Sequence, residues 1–404
     1  MNAAADEPVD PFAPAALGPI TLRNRIIKSA TFEGVMPDAL VTPELIEYHR
    51  RVAAGGVGMS TVAYVAVAPD GRTNRACLYM RDEAIPGLRR LTEAIHAEGA
   101  KASAQIGHAG PVADSKSNGV VGFSASRRFN PLSMRFTPAA TEDDLERVID
   151  DFRRTALGCE AAGFDALEVH LGHNYLPSAF LSPALNDRTD RFGGSLENRA
   201  RLSREILKAV REAVGGRLAI VAKLNMIDAV PKGLGIEESL EVARMIESDG
   251  TLDALVLTGG SSFGNPMFLF RGDAPRKEFA AALPPLLRLG FKLVGQKFMP
   301  DTPFEEAYFE AHARRFKDAL DLPVILLGGI NRRETIEKAL GDGFAFVQMG
   351  RALLREPDLL LRMQSGEQRA GICIHCNRCM ASIYSGTRCV LIDPDPIEGS
   401  APVA

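Results

Sequence analysis

His170, His173 and Tyr175 stand together in EVHLGHNYL (residues 168–176), directly after an apolar run, in a chain with only seven histidines and six tyrosines. Three chemistries suit that spacing. Clustered imidazoles can ligate a metal, imidazole and phenol can form an acid–base set, or all three can simply face solvent in a loop. Lys223, inside LAIVAKLNM, is the second unusual residue, because burying an ammonium is costly unless a partner compensates. Its partner is read either as a neighbouring carboxylate or as a bound anion. Late in the chain, LGGINRRE and MGRALLREP place Gly329, Gly350 and Arg351 where backbone N–H groups and a guanidinium can approach a phosphate. Cys373, Cys376, Cys379 and Cys389 form a C-x2-C-x2-C-x9-C series in CIHCNRCMASIYSGTRC, which reads as metal-type clustering rather than as disulfide bridges.

The elements that must position these residues recur along the chain as short apolar runs separated by amphipathic stretches. They are RIIKSA (25–30), VGMSTVAYVAV (57–67), KASAQIG (101–107), FDALEV (164–169), LAIVAKLN (218–225), LDALVLTG (252–259), PVILLGG (323–329) and FAFVQMG (344–350). Helical patterning follows most of them, as at residues 195–215, where Leu196, Ala200, Ile206, Leu207, Val210 and Val214 share a face behind a Ser195 cap. Eight strands apolar on both faces predict an α/β fold, a parallel (β/α)8 TIM barrel; an open doubly wound sheet is the runner-up, and G-x-G-x-x-G is absent after the first strand. Barrel chemistry belongs at the C-terminal strand ends, which is where His170, Thr31, Gln105, Lys223 and Asn225 fall. Residues 261–318 form an extended insertion after strand six, partly helical in FAAALPPLLRLGFKLVGQ and a candidate lid or oligomer contact. The division expected is a barrel over 1–370 and a Cys-rich tail over 371–404.

Composition limits the partners. With 46% hydrophobic and 24% charged residues and a net charge of −4, the chain reads as globular and offers no footing for nucleic acid. No apolar run reaches the ~18 residues of a membrane span. The acidic, Pro/Ala-rich start MNAAADEPVDPFAPAALGPI lacks a signal-peptide pattern and reads as a short surface arm, so the expected location is cytoplasmic.

From LGPITLRNRIIKSATFEG through QIGHAG, GFDALEVHLGHNYLPSAFLSPALNDRTDRFGGSLENRARL and LLGGI to MGRALLREPDL, the chain resembles the old yellow enzyme family of NAD(P)H:flavin oxidoreductases over almost its whole length. It is similar to the barrel domain of 2,4-dienoyl-CoA reductase and trimethylamine dehydrogenase. The resemblance implies FMN across the barrel mouth, NAD(P)H as co-substrate and an activated alkene (enone, enal or enoate) as the small-molecule acceptor. It also implies roles. Gln105 bonds the flavin pyrimidine, and Ala30, Thr31 and Ala63 line the ring. Gly329, Gly350 and Arg351 form the phosphate site, and Lys223 lies beside the N1/O2 edge. His170 and His173 hold the acceptor's oxygen, with His170 also touching the flavin, and Tyr175 gives the proton. These roles suit the chemistry, because two N–H donors stabilise an enolate-like oxygen and a phenol keeps its proton at neutral pH. Three departures stand out: Lys223 where arginine is frequent, Asn174 where glycine is common, and SATF, which puts Thr31 or Phe32 near the flavin O4.

The tail resembles the ligands of longer family members, implying a [4Fe-4S] cluster or zinc on the four cysteines, with reduced thiols as the other reading. A flavin dehydrogenase of amines or thioesters, passing electrons through that cluster to a partner, is the alternative function. A metal-dependent hydrolase would require a third ligand and a carboxylate base that the strand ends do not offer. A homo-oligomer is expected from relatives with similar C-terminal segments. His49, His96, His312 and His375 receive no role, His108 reads as a structural loop residue, and Arg188, Asp190 and Arg199 read as ion pairs locking the loop after strand four.

Overall fold

A computed structural model of the chain describes residues 9–396 apart from 132, 263 and 284. Its centre is a closed parallel barrel of eight strands: β1 (Ile26–Lys28), β2 (Met59–Ala66), β3 (Lys101–Gly107), β4 (Ala166–Leu171), β5 (Ala219–Asn225), β6 (Ala254–Thr258), β7 (Val324–Leu327) and β8 (Phe346–Met349). Each expected apolar run supplies one of these strands. Both faces of β2 and β4 are buried throughout, so the alternation of half-exposed strands is missing and the runs read as continuously apolar.

Eight helices follow the strands in turn: α1 (Pro43–Ala54), α2 (Ile85–Ala97), α3 (Glu142–Ala161), α4 (Leu196–Val214), α5 (Ile236–Ser248), α6 (Glu310–Lys317), α7 (Arg333–Gly341) and α8 (Leu359–Ser365). Thr42, Thr141 and Ser195 cap α1, α3 and α4 by accepting backbone N–H groups that the first turn leaves unpaired. In α4 the expected face packs inward, with Ala200, Ile206, Leu207, Val210 and Val214 buried.

From Ala15 onward the N-terminal stretch is not the surface arm that the composition of residues 1–20 suggested, and residues 1–8 lie outside the described ones. Ala15–Leu17 pairs antiparallel with Ile20–Leu22 across Gly18, whose positive φ of 52° a glycine adopts without strain. Leu17 and Leu22 then close the bottom of the barrel against Ile27, Met59, Val221, Val256 and Phe346. Three to five residues of alternating apolar and polar type are too short a signal to separate a plug from an arm.

Two excursions rise over the C-terminal ends of the strands. Between β3 and α3, Arg128–Asn130 pairs with Arg135–Thr137, a hairpin that sequence reading missed. Between β6 and α6, helices Arg276–Ala282 and Pro285–Phe298 fill the long insertion, as its apolar pattern predicted. Among the described residues, no helix is long and apolar enough to cross a membrane.

Candidate active site

Period-two alternation decides what stands inside the barrel. On β4 it sends Ala166 to the apolar lower layer and Glu168 and His170 above it; on β5 it does the same with Val221, Lys223 and Asn225, and on β8 with Phe346, Gln348 and Gly350. The layer above the apolar floor is therefore polar. Glu168 is its centre: Oε1 lies 2.8 Å from Lys223 Nζ and accepts from Gln105 Nε2 at 2.7 Å, while Oε2 accepts from Gln348 Nε2 at 2.8 Å. All four residues are buried. Of the two partners open for Lys223, the structure shows the neighbouring carboxylate.

A second buried charge set lies between β1, β2 and α1. Glu33 Oε1 accepts from Lys28 Nζ at 3.4 Å, lies 3.1 Å from His49 Nε2, and takes the Ala63 backbone N–H at 3.1 Å. His49, given no role from sequence, thus helps fix Glu33 beneath the loop after β1. Burial outweighs the attraction of Glu33 at Lys28 and holds its pKa below the usual lysine range. The register of β2 against β3 shifts between Val62 and Val65. Glu33 ties down that irregularity at Ala63, which lines the cavity above.

That cavity, about 1010 Å³, opens over the polar layer. Ala30, Thr31, Ala63, Gln105, His170, His173, Tyr175, Lys223, Gly329, Gly350 and Arg351, the predicted site residues of the barrel, all line it. The rings of His170 and His173 lie 5.0 Å apart and those of His170 and Tyr175 4.6 Å, both edge-on. Asn225 accepts the His173 backbone N–H at 3.0 Å while its own amide donates to Asp228 and Gly260 at 2.8 Å. His173 Nε2 meets Thr258 Oγ1 at 2.9 Å. Burial, aided by the Lys223 charge, lowers the His170 pKa to about 3. Burial and the neighbouring His170 and Lys223 charges hold His173 well below its ordinary value. Both rings are neutral near pH 7, so each carries one N–H to give.

His173 and Asn174 have φ of 58° and 61°. This left-handed pair explains a glycine preference at position 174, and asparagine is among the side chains that tolerate the conformation best. The turn delivers Tyr175 to the N-cap of Leu176–Leu181 and sets its ring 5.7 Å from Tyr64.

The rim comes from distant stretches. Met134 of the hairpin, Phe279, Leu283 and Phe291 of the insertion, and Met380, Ile383 and Thr387 of the tail line the same cavity. Thr387 donates to the carbonyls of Phe32 and Glu33, so the tail is packed on the loop after β1. His375, also given no role, stacks on Phe304 at 3.4 Å and lines the cavity.

A family model described as NADH:flavin oxidoreductase / NADH oxidase matches residues 10–256. The chain belongs to that family. The 4,4'-dithiodibutanoate disulfide reductase of Rhodococcus erythropolis is 55% identical over 382 residues, covering 95% of each chain. A metal reductase of Desulforamulus reducens is 32% identical over 376 residues, which cover 92% of this chain and 52% of that one, so the chain spans about half of this longer relative. In fold it resembles a 2-naphthoyl-CoA reductase solved with 2-naphthoyl-CoA, at a TM-score of 0.79 and 24% identity, over 96% of this chain and 57% of that one.

Membership of the flavin oxidoreductase family implies a flavin, and the cavity fits one. His170 Nδ1 and Gln348 Oε1 are buried without hydrogen-bond partners, a costly state for polar groups unless a ligand meets them. Arg351 donates to the Arg271 carbonyl at 2.9 Å and to Asn377 Oδ1, yet no carboxylate pairs with it among the described residues. Among the described residues that line the cavity, Arg351 is the cation without a carboxylate partner. A Cβ on Gly350 would meet nothing within 4 Å, leaving the backbone open there, whereas Gly329, at φ of 74°, is packed so closely that a Cβ would lie 2.6 Å from the Tyr308 ring.

The four tail cysteines are unbridged and line one small pocket with Arg351 and Arg355. Arg355 Nη1 lies 3.6 Å from Cys389 Sγ. Among the described residues, no three of His, Cys, Asp and Glu are arranged to hold a metal ion. Cys379 lines both this pocket and the large cavity.

Of the remaining expectations, Arg188 pairs with Asp190 inside the loop after β4. Arg199 donates to the Leu181 and Gly194 carbonyls of the same loop and makes its ion pair with Glu238, which ties α4 to α5. His108 is a buried loop residue stacked on Phe123. Sequence reading missed Glu168 and Gln348, which complete the polar layer under the cavity. Each is polar inside an apolar strand, the same signal that singled out Lys223.

Proposed function

We propose that the chain is an NAD(P)H-driven, FMN-dependent reductase that reduces activated C=C bonds of small molecules in the cavity over the barrel. The observation that carries this is the convergence of His170, His173 and Tyr175 beside two orphaned polar atoms. Gln105, Lys223, His170 and the loop residues Ala30, Thr31 and Ala63 would hold the flavin ring, and Gly329, Gly350 and Arg351 its phosphate. Bound there, the flavin supplies the hydride taken from NAD(P)H.

The chain's own residues do the rest. Neutral His170 and His173 give N–H donors to the acceptor's oxygen, where charge develops as the β-carbon is reduced. Tyr175 holds a phenolic proton beside them and passes it to the adjacent carbon. The apolar rim, with Phe279, Leu283 and Met380, excludes water from the exchange.

A disulfide is the second reading of the acceptor, favoured by the 55% identity to the Rhodococcus disulfide reductase over 95% of both chains. The same constellation serves it. Two electrons cleave the S–S bond, and Tyr175 protonates one of the two thiolates released.

The four cysteines are proposed to ligate an iron–sulfur cluster, because a cluster spreads its thiolate ligands over several irons where zinc gathers them on one ion. With Cys379 shared between the two pockets, such a cluster would adjoin the flavin cavity and give electrons an exit to a partner.

An anaerobic visible spectrum tests these readings together. Flavin absorbance should bleach with NADH or NADPH and return on adding cyclohexenone or 4,4'-dithiodibutanoate, and the relative recovery rates rank the two acceptors. Protein that stays colourless after incubation with FMN would sink the flavin reading. Iron analysis finding no iron in anaerobically purified protein would end the cluster reading.

A further inference from the structure

A carboxylate can only accept hydrogen bonds, whereas a side-chain amide presents a donor at one end and an acceptor at the other. Glu168 takes Nε2 of Gln105 at 2.7 Å and Nε2 of Gln348 at 2.8 Å. Both amides must therefore turn their NH2 groups to Glu168 and their carbonyl oxygens away from it. Both glutamines line the cavity, and Gln348 Oε1 is a buried oxygen without a partner. The same carboxylate lies 2.8 Å from Lys223 Nζ, 1% exposed itself against a lysine 2% exposed.

We infer that Glu168 is a positioning residue for the redox reaction: it locks Gln105 and Gln348 with their carbonyl oxygens toward the cavity and mutes the Lys223 charge there, thereby lowering the cofactor's reduction potential. The inference rests on the flavin reading above. Glu168 touches neither cofactor nor acceptor in this account. It acts through three side chains that do.

The direction follows from electrostatics in a site shielded from water. An ammonium at the cavity floor stabilises the anionic reduced form of a cofactor above it, and a carboxylate on that ammonium opposes the effect. Two carbonyl oxygens directed at the ring also select ring N–H groups and repel ring oxygens.

Replacing the carboxylate by an amide of the same shape separates these roles. In Glu168→Gln the new side chain offers one acceptor and one donor, so one glutamine must flip or lose its bond, and Lys223 is no longer neutralised. The midpoint potential of the bound flavin, measured by anaerobic redox titration, should rise, and FMN should bind the apoprotein roughly 10- to 100-fold more weakly, the scale of one hydrogen bond to a charged group. Adding Lys223→Gln to Glu168→Gln removes the ammonium left without its carboxylate, and the potential should fall back to or below the wild-type value.

Thermal stability does not discriminate, since a purely structural ion pair would also lose it. The potential does. If wild type and Glu168→Gln bind FMN equally and titrate at one potential, or if the single and double variants share one potential, Glu168 has no positioning role. Should the single variant fail to fold, the charge-balanced double variant takes its place: a potential at or below wild type with weakened FMN binding supports the inference, and wild-type values of both overturn it. Wild type that binds no FMN would instead bring down the flavin reading itself.

Discussion

The two halves of the barrel interior are built by the same strands and differ by a step of two residues. Below, Ala166, Val221 and Phe346 pack with Ile27, Met59 and Val256 over the Leu17–Leu22 plug. Above, Glu168, Lys223 and Gln348 form an ion pair and amide bonds under a cavity. Two residues of strand rise, about 6.6 Å, separate a layer held by close packing from one held by charge. The lower half is held by apolar packing; the upper pairs its buried charges with each other and leaves Gln348 Oε1 open toward the cavity.

If that division is right, variants in the two halves fail differently. The largest effect belongs to Tyr175→Phe, which should slow the acceptor half-reaction by roughly 100- to 10,000-fold and leave flavin reduction by NAD(P)H unchanged in rapid-mixing experiments. Equal losses in both half-reactions would remove Tyr175 as the proton donor. Below the cavity, Phe346→Ala should cost about 3–5 kcal/mol in urea unfolding while the folded fraction binds FMN as wild type does. A matching loss of cofactor affinity would dissolve the distinction between the halves.

Arg351→Met comes next. It should weaken FMN by roughly 10- to 100-fold, the value of a charged hydrogen bond, and leave riboflavin, which has no phosphate, unaffected. Equal losses for both ligands would move the phosphate elsewhere.

The last effect is one of pH, and it is absent near neutrality. His170 titrates near 3 in the fold, below its unfolded value of about 6.5. The unfolded chain therefore takes up the proton first as pH falls, so apoprotein stability should decline from about pH 6.5 toward 3, with no His170 contribution above that window. His170→Asn should flatten the slope. An unchanged slope would assign it to other groups, such as His173.

How much of this was legible in the sequence follows the same division. The strands read plainly because their burial on both faces leaves apolar runs, and His170, Lys223 and Arg351 read plainly because each interrupts or ends such a run. Glu168 gives the same signal, two residues before His170, but its role shows only once strand pairing sets it beside Gln105 and Lys223. The rim was not legible. Met134, Phe279 and Ile383 meet over one cavity from three stretches with no shared period, and only the closed barrel brings them together. The partner of Lys223 was open for a related reason: only strand register could choose Glu168 over an external anion.

The contact of Thr387 with the Phe32 carbonyl spans 355 positions of chain. On a ribosome the loop after β1 emerges early and waits for another 355 residues before the wall that closes its side of the cavity exists. Contacts so distant in sequence form late. Cofactor capture should accordingly wait until residue 387 has emerged, and nascent chains stalled before it should bind flavin poorly even with all eight strands made.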